Sequence, residues 1–248
     1  MVILKTPQEI LKMRKSGKIT AAVLAMMGEL ARPGVTTGEL DRKAERLILD
    51  MGGKPAFKGY MDYPSTLCTS VNDEVIHGMP GDRVLEEGDI LSIDTGAVLD
   101  GFYSDAAVTL PIGDVSEEAS RLMEATRRSL EKGIEAARAG GRLGDIGNAV
   151  QSVAEGAGYS VVREFVGHGI GRKMHEPPNV PNYGAKGTGI RLVGGMTLAI
   201  EPMVNQSSHQ VRVDDDGWTV RTRDGGLSAH FEHTVAITDE GIVLLTVL

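Results

Sequence analysis

The 248-residue sequence contains one cysteine, Cys68. A single thiol cannot build a disulfide framework or a cysteine-rich zinc module, and it suits a reducing compartment. Long apolar runs are missing too. None approaches the roughly 18 residues that a spanning helix needs, so no transmembrane helix is expected. The stretch from Met1 to Glu9 holds Lys5 and Glu9 and has no apolar core of signal-peptide length. Basic charge is in deficit: 26 Lys and Arg face 34 Asp and Glu, a net −8. That balance argues against nonspecific nucleic-acid binding. The expectation is a cytoplasmic protein with no membrane partner and no specific nucleic-acid partner.

Several catalytic signatures are absent as well. There is no Gly-x-Ser-x-Gly elbow and no His-Glu-x-x-His pair. Gly167-His168-Gly169-Ile170-Gly171-Arg172 lacks the third glycine of a dinucleotide fingerprint, and Gly184-Ala185-Lys186-Gly187-Thr188 is not a phosphate loop. Cys68 has no nucleophile context around it and reads as a buried, inert thiol.

What is present is ordinary globular composition, 41 % hydrophobic and 24 % charged. A chain of this length buries most of its surface without covalent staples. Thr6-Pro7-Gln8-Glu9 is a capping box with proline at the first helical position. It predicts a helix through Ile10, Met13, Ile19, Val23 and Met27 that stops near Pro33-Gly34. A second box, Thr36 with Glu39, predicts a helix through Leu40, Ala44 and Leu47 that ends at Gly52-Gly53. The pattern returns 106 residues later: Ala31, Arg32 and Gly34 match Ala137, Arg138 and Gly140, while Gly38, Glu39, Leu40 and Gly52 match Gly144, Asp145, Ile146 and Gly158. An internal duplication is expected, giving one domain, residues 1–248, built of two similar halves of about 1–112 and 113–248. Strands are expected at Ser65–Val71, Ile90–Ala97, Phe102–Leu110, Val161–Val166, Leu198–Glu201, Phe231–Ile237 and Ile242–Val247. Tyr183–Gly195 reads as a long loop. Strands that follow helix pairs indicate an α+β fold, with helices on one face of a mostly antiparallel sheet.

Five polar residues fall where apolar ones should be. Asp94 and Asp105 interrupt two apolar strands, although Asp is rare in strands and costly to bury unpaired. Asp100-Gly101 between them is a two-residue hairpin signal. That turn pairs Leu99 with Phe102 and Gly96 with Asp105, so both aspartates project from one face, diagonal neighbours roughly 7–8 Å apart. Glu201, after Leu198-Ala199-Ile200, and Glu232, in Phe231–Ala236, form a parallel pair in the second half. Four like charges in one apolar cleft need cations or raised pKa values. His168, flanked by glycines, offers a neutral nitrogen. One histidine with four carboxylates fits a dinuclear site for Mn, Fe, Co or Zn.

At these residues the sequence resembles type I methionine aminopeptidase. Asn72–Gly78, Ile93-Asp94, Ser104-Asp105, Gly167–Gly171, His175-Glu176, Glu201-Pro202 and Phe231–Thr234 carry the likeness, which runs from about Pro7 to the C-terminus. The resemblance implies a pita-bread fold with pseudo-two-fold symmetry. It implies that Asp94 holds one metal, that Asp105 and Glu232 bridge, and that His168 and Glu201 complete the other. It further implies removal of initiator methionine by a metal-bridging hydroxide, with Glu201 as general base and His77 and His175 bonding the scissile amide and oxyanion. Tyr60, Tyr63, Cys68 and Trp218 match the methionine pocket. Phe57 and Met174 align there but differ from the usual bacterial pattern, which alters the pocket's shape. Asn72, Glu74 and Ser228 match positions whose backbone oxygens bind a monovalent cation in relatives. His209, His230 and His233 read as surface or supporting residues. The implied partners are N-termini of nascent or short peptides, a transient ribosome contact being compatible with the former, and the expected state is a monomer. Two rivals stand beside this reading: a proline-directed peptidase of the same fold, and a metal-free binding protein on that fold.

Overall fold

Two capping boxes set the start of the chain's architecture, which a computed structural model describes for residues 2–248. Helix α1 (Pro7–Leu30) begins where the Thr6 hydroxyl accepts from the Glu9 amide and the Glu9 carboxylate accepts from the Thr6 amide. Helix α2 (Thr37–Asp50) repeats the exchange with Thr36 and Glu39. The strands β1 (Lys54–Pro55), β2 (Leu67–Val71), β3 (Glu74–Ile76), β4 (Ile90–Leu99) and β5 (Phe102–Pro111) follow. A second helix pair, α3 (Glu117–Ala136) and α4 (Leu143–Gly156), opens the second half. Ten short strands complete it: β6 (Ser160–Val161), β7 (Gly167–Gly169), β8 (Glu176–Val180), β9 (Thr197–Ile200), β10 (Met203–Asn205), β11 (Val211–Val213), β12 (Val220–Thr222), β13 (Ser228–His230), β14 (His233–Thr238) and β15 (Gly241–Leu244).

The repeat in the sequence has a counterpart in the backbone. Gly34 N–H donates to Leu85 O and Leu85 N–H to Val35 O; Gly140 N–H donates to Leu192 O and Leu192 N–H to Gly141 O. The bridge between Thr36 and Val84 likewise answers one between Arg142 and Arg191. The same helix–turn–helix is thus pinned twice by the same bonds.

Among the described residues every strand pairing is antiparallel. The first-half sheet runs β1-β4-β2 with β5 also on β4, and the second-half sheet runs β15-β14-β9-β7-β8. One apolar core, including Val23, Leu40, Ile48, Leu67 and Ile93, lies between α1, α2 and the first sheet. Another, including Leu130, Ile146, Leu198 and Val235, lies under α3 and α4. Helix α1 approaches so closely that a Cβ on Gly17 would fall 2.0 Å from the Leu245 carbonyl oxygen. The halves meet along a seam: Glu232 N–H donates to Ala107 O at 2.9 Å, and the Thr234 hydroxyl donates to Asp105 O at 2.7 Å while accepting from Asp105 N at 3.0 Å. The N-terminal segment also crosses between halves. Val2 packs into the second core, and Lys5 N–H donates to Gly195 O just before α1.

Several strand limits differ from expectation, each for a local reason. The Val161–Val166 strand shrinks to Ser160–Val161, because its partner β10 pairs only with those two residues. The Phe231–Ile237 strand begins at His233, because Glu232 pairs across the seam with Ala107 instead. The strand expected from Ser65 begins at Leu67, where the Asp41 carboxylate takes the Thr66 and Leu67 amides. Helix α1 ends at Leu30, short of Pro33-Gly34.

Candidate metal centre

The Asp100-Gly101 turn, with φ of 51° and 77°, closes the β4–β5 hairpin; two positive φ values match the strands' twist. The register pairs Leu99 with Phe102, Gly96 with Asp105 and Asp94 with Ala107. Glu232 pairs with the far side of Ala107, so Asp94, Ala107 and Glu232 form one row across three backbones, with Asp105 two residues away on the same face. The second half builds a matching row: His168 pairs with Ala199, and Ala199 with Thr234. Glu201 and Glu232 stand two residues from that row, again on its face. Small alanines at the centre of both rows leave the space into which the acids and the imidazole point.

Distances follow from this arrangement. One ligand atom each from Asp105, His168 and Glu232 lie within 4.8 Å of one another. His168 Nε2 is 3.6 Å from Glu201 Oε1 and 3.8 Å from Asp105 Oδ2. Asp94 lies close enough to Asp105 for the two carboxyls to feel each other's charge. Asp105, His168 and Glu232 are buried, while Asp94 and Glu201 are half-buried. Loss of water pushes all four carboxyl groups upward, and the charge of neighbouring acids pushes Asp94, Glu201 and Glu232 further. Oxygens of Asp94, Asp105 and Glu232 are buried with no hydrogen-bond partner. Buried unpaired polar atoms are costly, and a cation satisfies such acceptors. The imidazole is prepared to match. His168 Nδ1 lies 2.8 Å from the Gly169 carbonyl, which only accepts, so Nδ1 carries the proton and Nε2 presents a lone pair to the carboxylates. The residues present therefore fit divalent metal.

A cavity of about 340 Å³ stands over this cluster, and all five candidate ligands line it. Phe57, Tyr60, Tyr63, Cys68, Met174 and Trp218 line its walls, as do His77 and His175. Tyr63 meets Trp218 edge-on at 5.0 Å and donates to the Leu67 carbonyl. His77, held at φ 60°, packs against Phe165 and Trp218. Burial lowers the His77 pKa to about 4, helped by His175. His175 sits exposed at the rim, its ring 4.2 Å from His168 and its Nδ1 2.8 Å from the Tyr60 hydroxyl.

Sequence reasoning missed Ile76, Phe165, Val166 and the exposed Met61, which also line the cavity. Phe165 read as the end of a strand that in fact stops four residues earlier. Of the two positions expected for His230, surface or supporting, the structure has the second: it is buried, with Nε2 unpartnered and 4.0 Å from Glu201 Oε2. His233 is half-buried and bonds Thr246, and His209 lies outside the cavity lining. Asn72 and Ser228 meet directly, the Ser228 amide donating to the Asn72 carbonyl. Glu74 is buried nearby, with its carboxylate taken by the Val71 amide and Arg221.

A face of buried acids and one imidazole on two equivalent half-sheets defines a metal-dependent enzyme class. The sequence matches Metallopeptidase family M24 over residues 11–239, and the chain belongs to that family. Within it the chain falls among the bacterial type I methionine aminopeptidases, and its α+β fold is the pita-bread fold. A methionine aminopeptidase of Clostridium perfringens is 55 % identical over 248 residues, covering 100 % of both chains. The crystal structure of methionine aminopeptidase from Thermotoga maritima superposes with a TM-score of 0.98 at 46 % identity, with 100 % of each chain covered. A prolidase from Pyrococcus furiosus is more distant: TM-score 0.79 and 25 % identity, covering 99 % of this chain but 66 % of that one. Among the described residues no helix is long and apolar enough to cross a membrane.

Proposed function

We propose that this chain hydrolyses the first peptide bond of peptides and nascent proteins that begin with methionine, releasing the free amino acid. The observation that carries the reading is one juxtaposition. Orphaned carboxylate oxygens of Asp94, Asp105 and Glu232 form the floor of a cavity whose walls are aromatic and sulfur-bearing. Such a lining suits an unbranched thioether side chain, which gains favourable sulfur–aromatic contacts.

In this reading two divalent cations (Mn, Fe, Co or Zn) would be held by Asp94, Asp105, His168, Glu201 and Glu232. When bound, they supply Lewis acidity and bring a water's pKa towards neutrality, about 7 for a single zinc. Glu201 accepts the proton of the attacking water and returns it to the departing amine. His77 and His175 stay neutral near pH 7 because loss of water, aided by a neighbouring histidine, holds both low. They donate to the scissile carbonyl as charge develops there. In this reading the Tyr60 hydroxyl donates to His175 Nδ1, which keeps the ring proton on Nε2 for that bond. Phe57, Tyr63, Cys68, Met174 and Trp218 enclose the first side chain, and the rest of the substrate leaves past Tyr60 and Met61 at the open rim. Asn72, Glu74 and Ser228 hold a monovalent cation. The protein acts as a monomer in the cytoplasm. The halves, about 1–112 and 113–248, descend from one duplicated unit.

Release of free methionine from Met-Ala-Ser, after chelation and re-addition of each cation, tests the activity. Metal-dependent release with an Xaa-Pro dipeptide left intact is expected. Preferential cleavage of Xaa-Pro would install the prolidase reading instead. Elemental analysis finding no divalent metal bound or bindable would favour the binding protein.

A further inference from the structure

The residues ahead of α1 form a strap with one deeply buried charge. The Lys5 side chain is 3 % exposed and its ammonium pairs with the Glu176 carboxylate, 1 % exposed. Lys5 Nζ also donates to the Ile3 carbonyl at 2.9 Å. The second Glu176 oxygen accepts from the amides of Arg172, at 2.8 Å, and Lys173, at 3.2 Å. Glu176 thus closes the 171–176 turn on itself, and Lys5 backs the carboxylate that does so. The fit is close: a Cβ on Gly171 would fall 2.2 Å from Lys5 Cε and 2.9 Å from Glu176 Oε1. That turn carries Met174 and His175 into the cavity. Its histidine lies exposed on the rim, touched by Tyr60 and His168 alone among the described rings, so the course of the turn's backbone helps set where the imidazole goes.

We propose that Lys5 is a positioning residue for His175: through Glu176 it fixes the turn that presents the His175 imidazole to the reacting carbonyl. This rests on the reading of His175 given above. A buried ion pair adds little net stability over an apolar pair of equal volume; what it supplies here is a fixed geometry. The strap ties that geometry to both halves, through Gly195 on one side and α1 on the other.

The test combines Lys5→Met and Glu176→Gln with and without His175→Ala. It measures kcat and KM on Met-Ala-Ser, thermal midpoint, and manganese bound per chain. In the wild-type background each substitution is expected to lower kcat roughly tenfold to a hundredfold, the scale of a small misplacement of a catalytic group. KM and bound manganese should stay unchanged. In the His175→Ala background the same substitutions should change kcat less than about twofold, since they act through a ring already gone. Glu176→Gln keeps the volume and an oxygen for both amides, so it carries the test if Lys5→Met does not fold. An equal, multiplicative kcat loss in the His175→Ala background would overturn the proposal, as would wild-type kcat in Glu176→Gln. Wild-type kcat in His175→Ala alone would overturn instead the underlying reading of that histidine.

Discussion

The two halves deliver their acids to the same face by different means. In the first half, Asp94 and Asp105 stand inside two ten-residue strands joined by a two-residue turn. In the second, His168 lies on a three-residue strand, while Glu201 follows β9 and Glu232 falls between β13 and β14. The hairpin places its pair by local geometry. The second half places its trio by pairings between residues distant in the chain, with the Ala107–Glu232 seam as the link.

The sharpest way to break this contrast is Glu201→Gln. It is expected to lower kcat on Met-Ala-Ser by about 10²–10⁴-fold through loss of the base. Near-wild-type turnover would remove Glu201 from that role. Next comes His175→Ala, which should cost about 10²–10³-fold in kcat, the usual effect of losing one oxyanion donor. Its manganese content, by elemental analysis, should equal that of the wild type; lost metal would make His175 a ligand.

A smaller effect concerns pH. In the metal-free protein the four crowded carboxyls hold protons more tightly than the unfolded chain, which releases them above about pH 4. The folded state then binds more protons than the unfolded one, so stability falls as pH rises. Half-buried His77 and buried His230, lowered to about 4 and about 3, act in the opposite sense. They do so only below the unfolded histidine value of about 6.5. Above it the carboxyls decide. The thermal midpoint of chelated protein should therefore drop from about pH 6.5 to 8, and added manganese should remove the drop. A flat profile without metal would contradict the crowding of charge.

The smallest effect compares the helix pairs themselves. Thr36 caps α2 with a hydroxyl, whereas the equivalent Arg142 has no side-chain acceptor to offer α4, where only Asp145 reaches back to the Arg142 amide. Thr36→Ala should cost about 1 kcal/mol in chemical denaturation, and Arg142→Ala less than about 0.5 kcal/mol.

Much of this was legible in the sequence, and unevenly so. The capping boxes set both N-termini of the first helix pair because capping is a matter of three or four consecutive residues. The observed β4–β5 register is the one that Asp100-Gly101 implies, since a two-residue turn leaves no freedom. The thirteen candidate site residues all line one cavity, but what brought them together on paper was largely the resemblance. Phe165, Ile76 and Met61 carry no signal of their own; an apolar residue looks the same whether it fills a core or faces a cleft. For His230 the sequence left surface and supporting positions open, because its burial depends on strands β10 and β13 pairing, which no local pattern announces. The strands of three residues are too short to show an alternation at all.

The seam at Ala107 has a consequence for biosynthesis. Ribosomes deliver the β4–β5 hairpin early, yet the cluster on its face stays incomplete until Glu232 has been added and has docked beside it. Assembly of this acidic cluster therefore waits for the last strands to close the sheet.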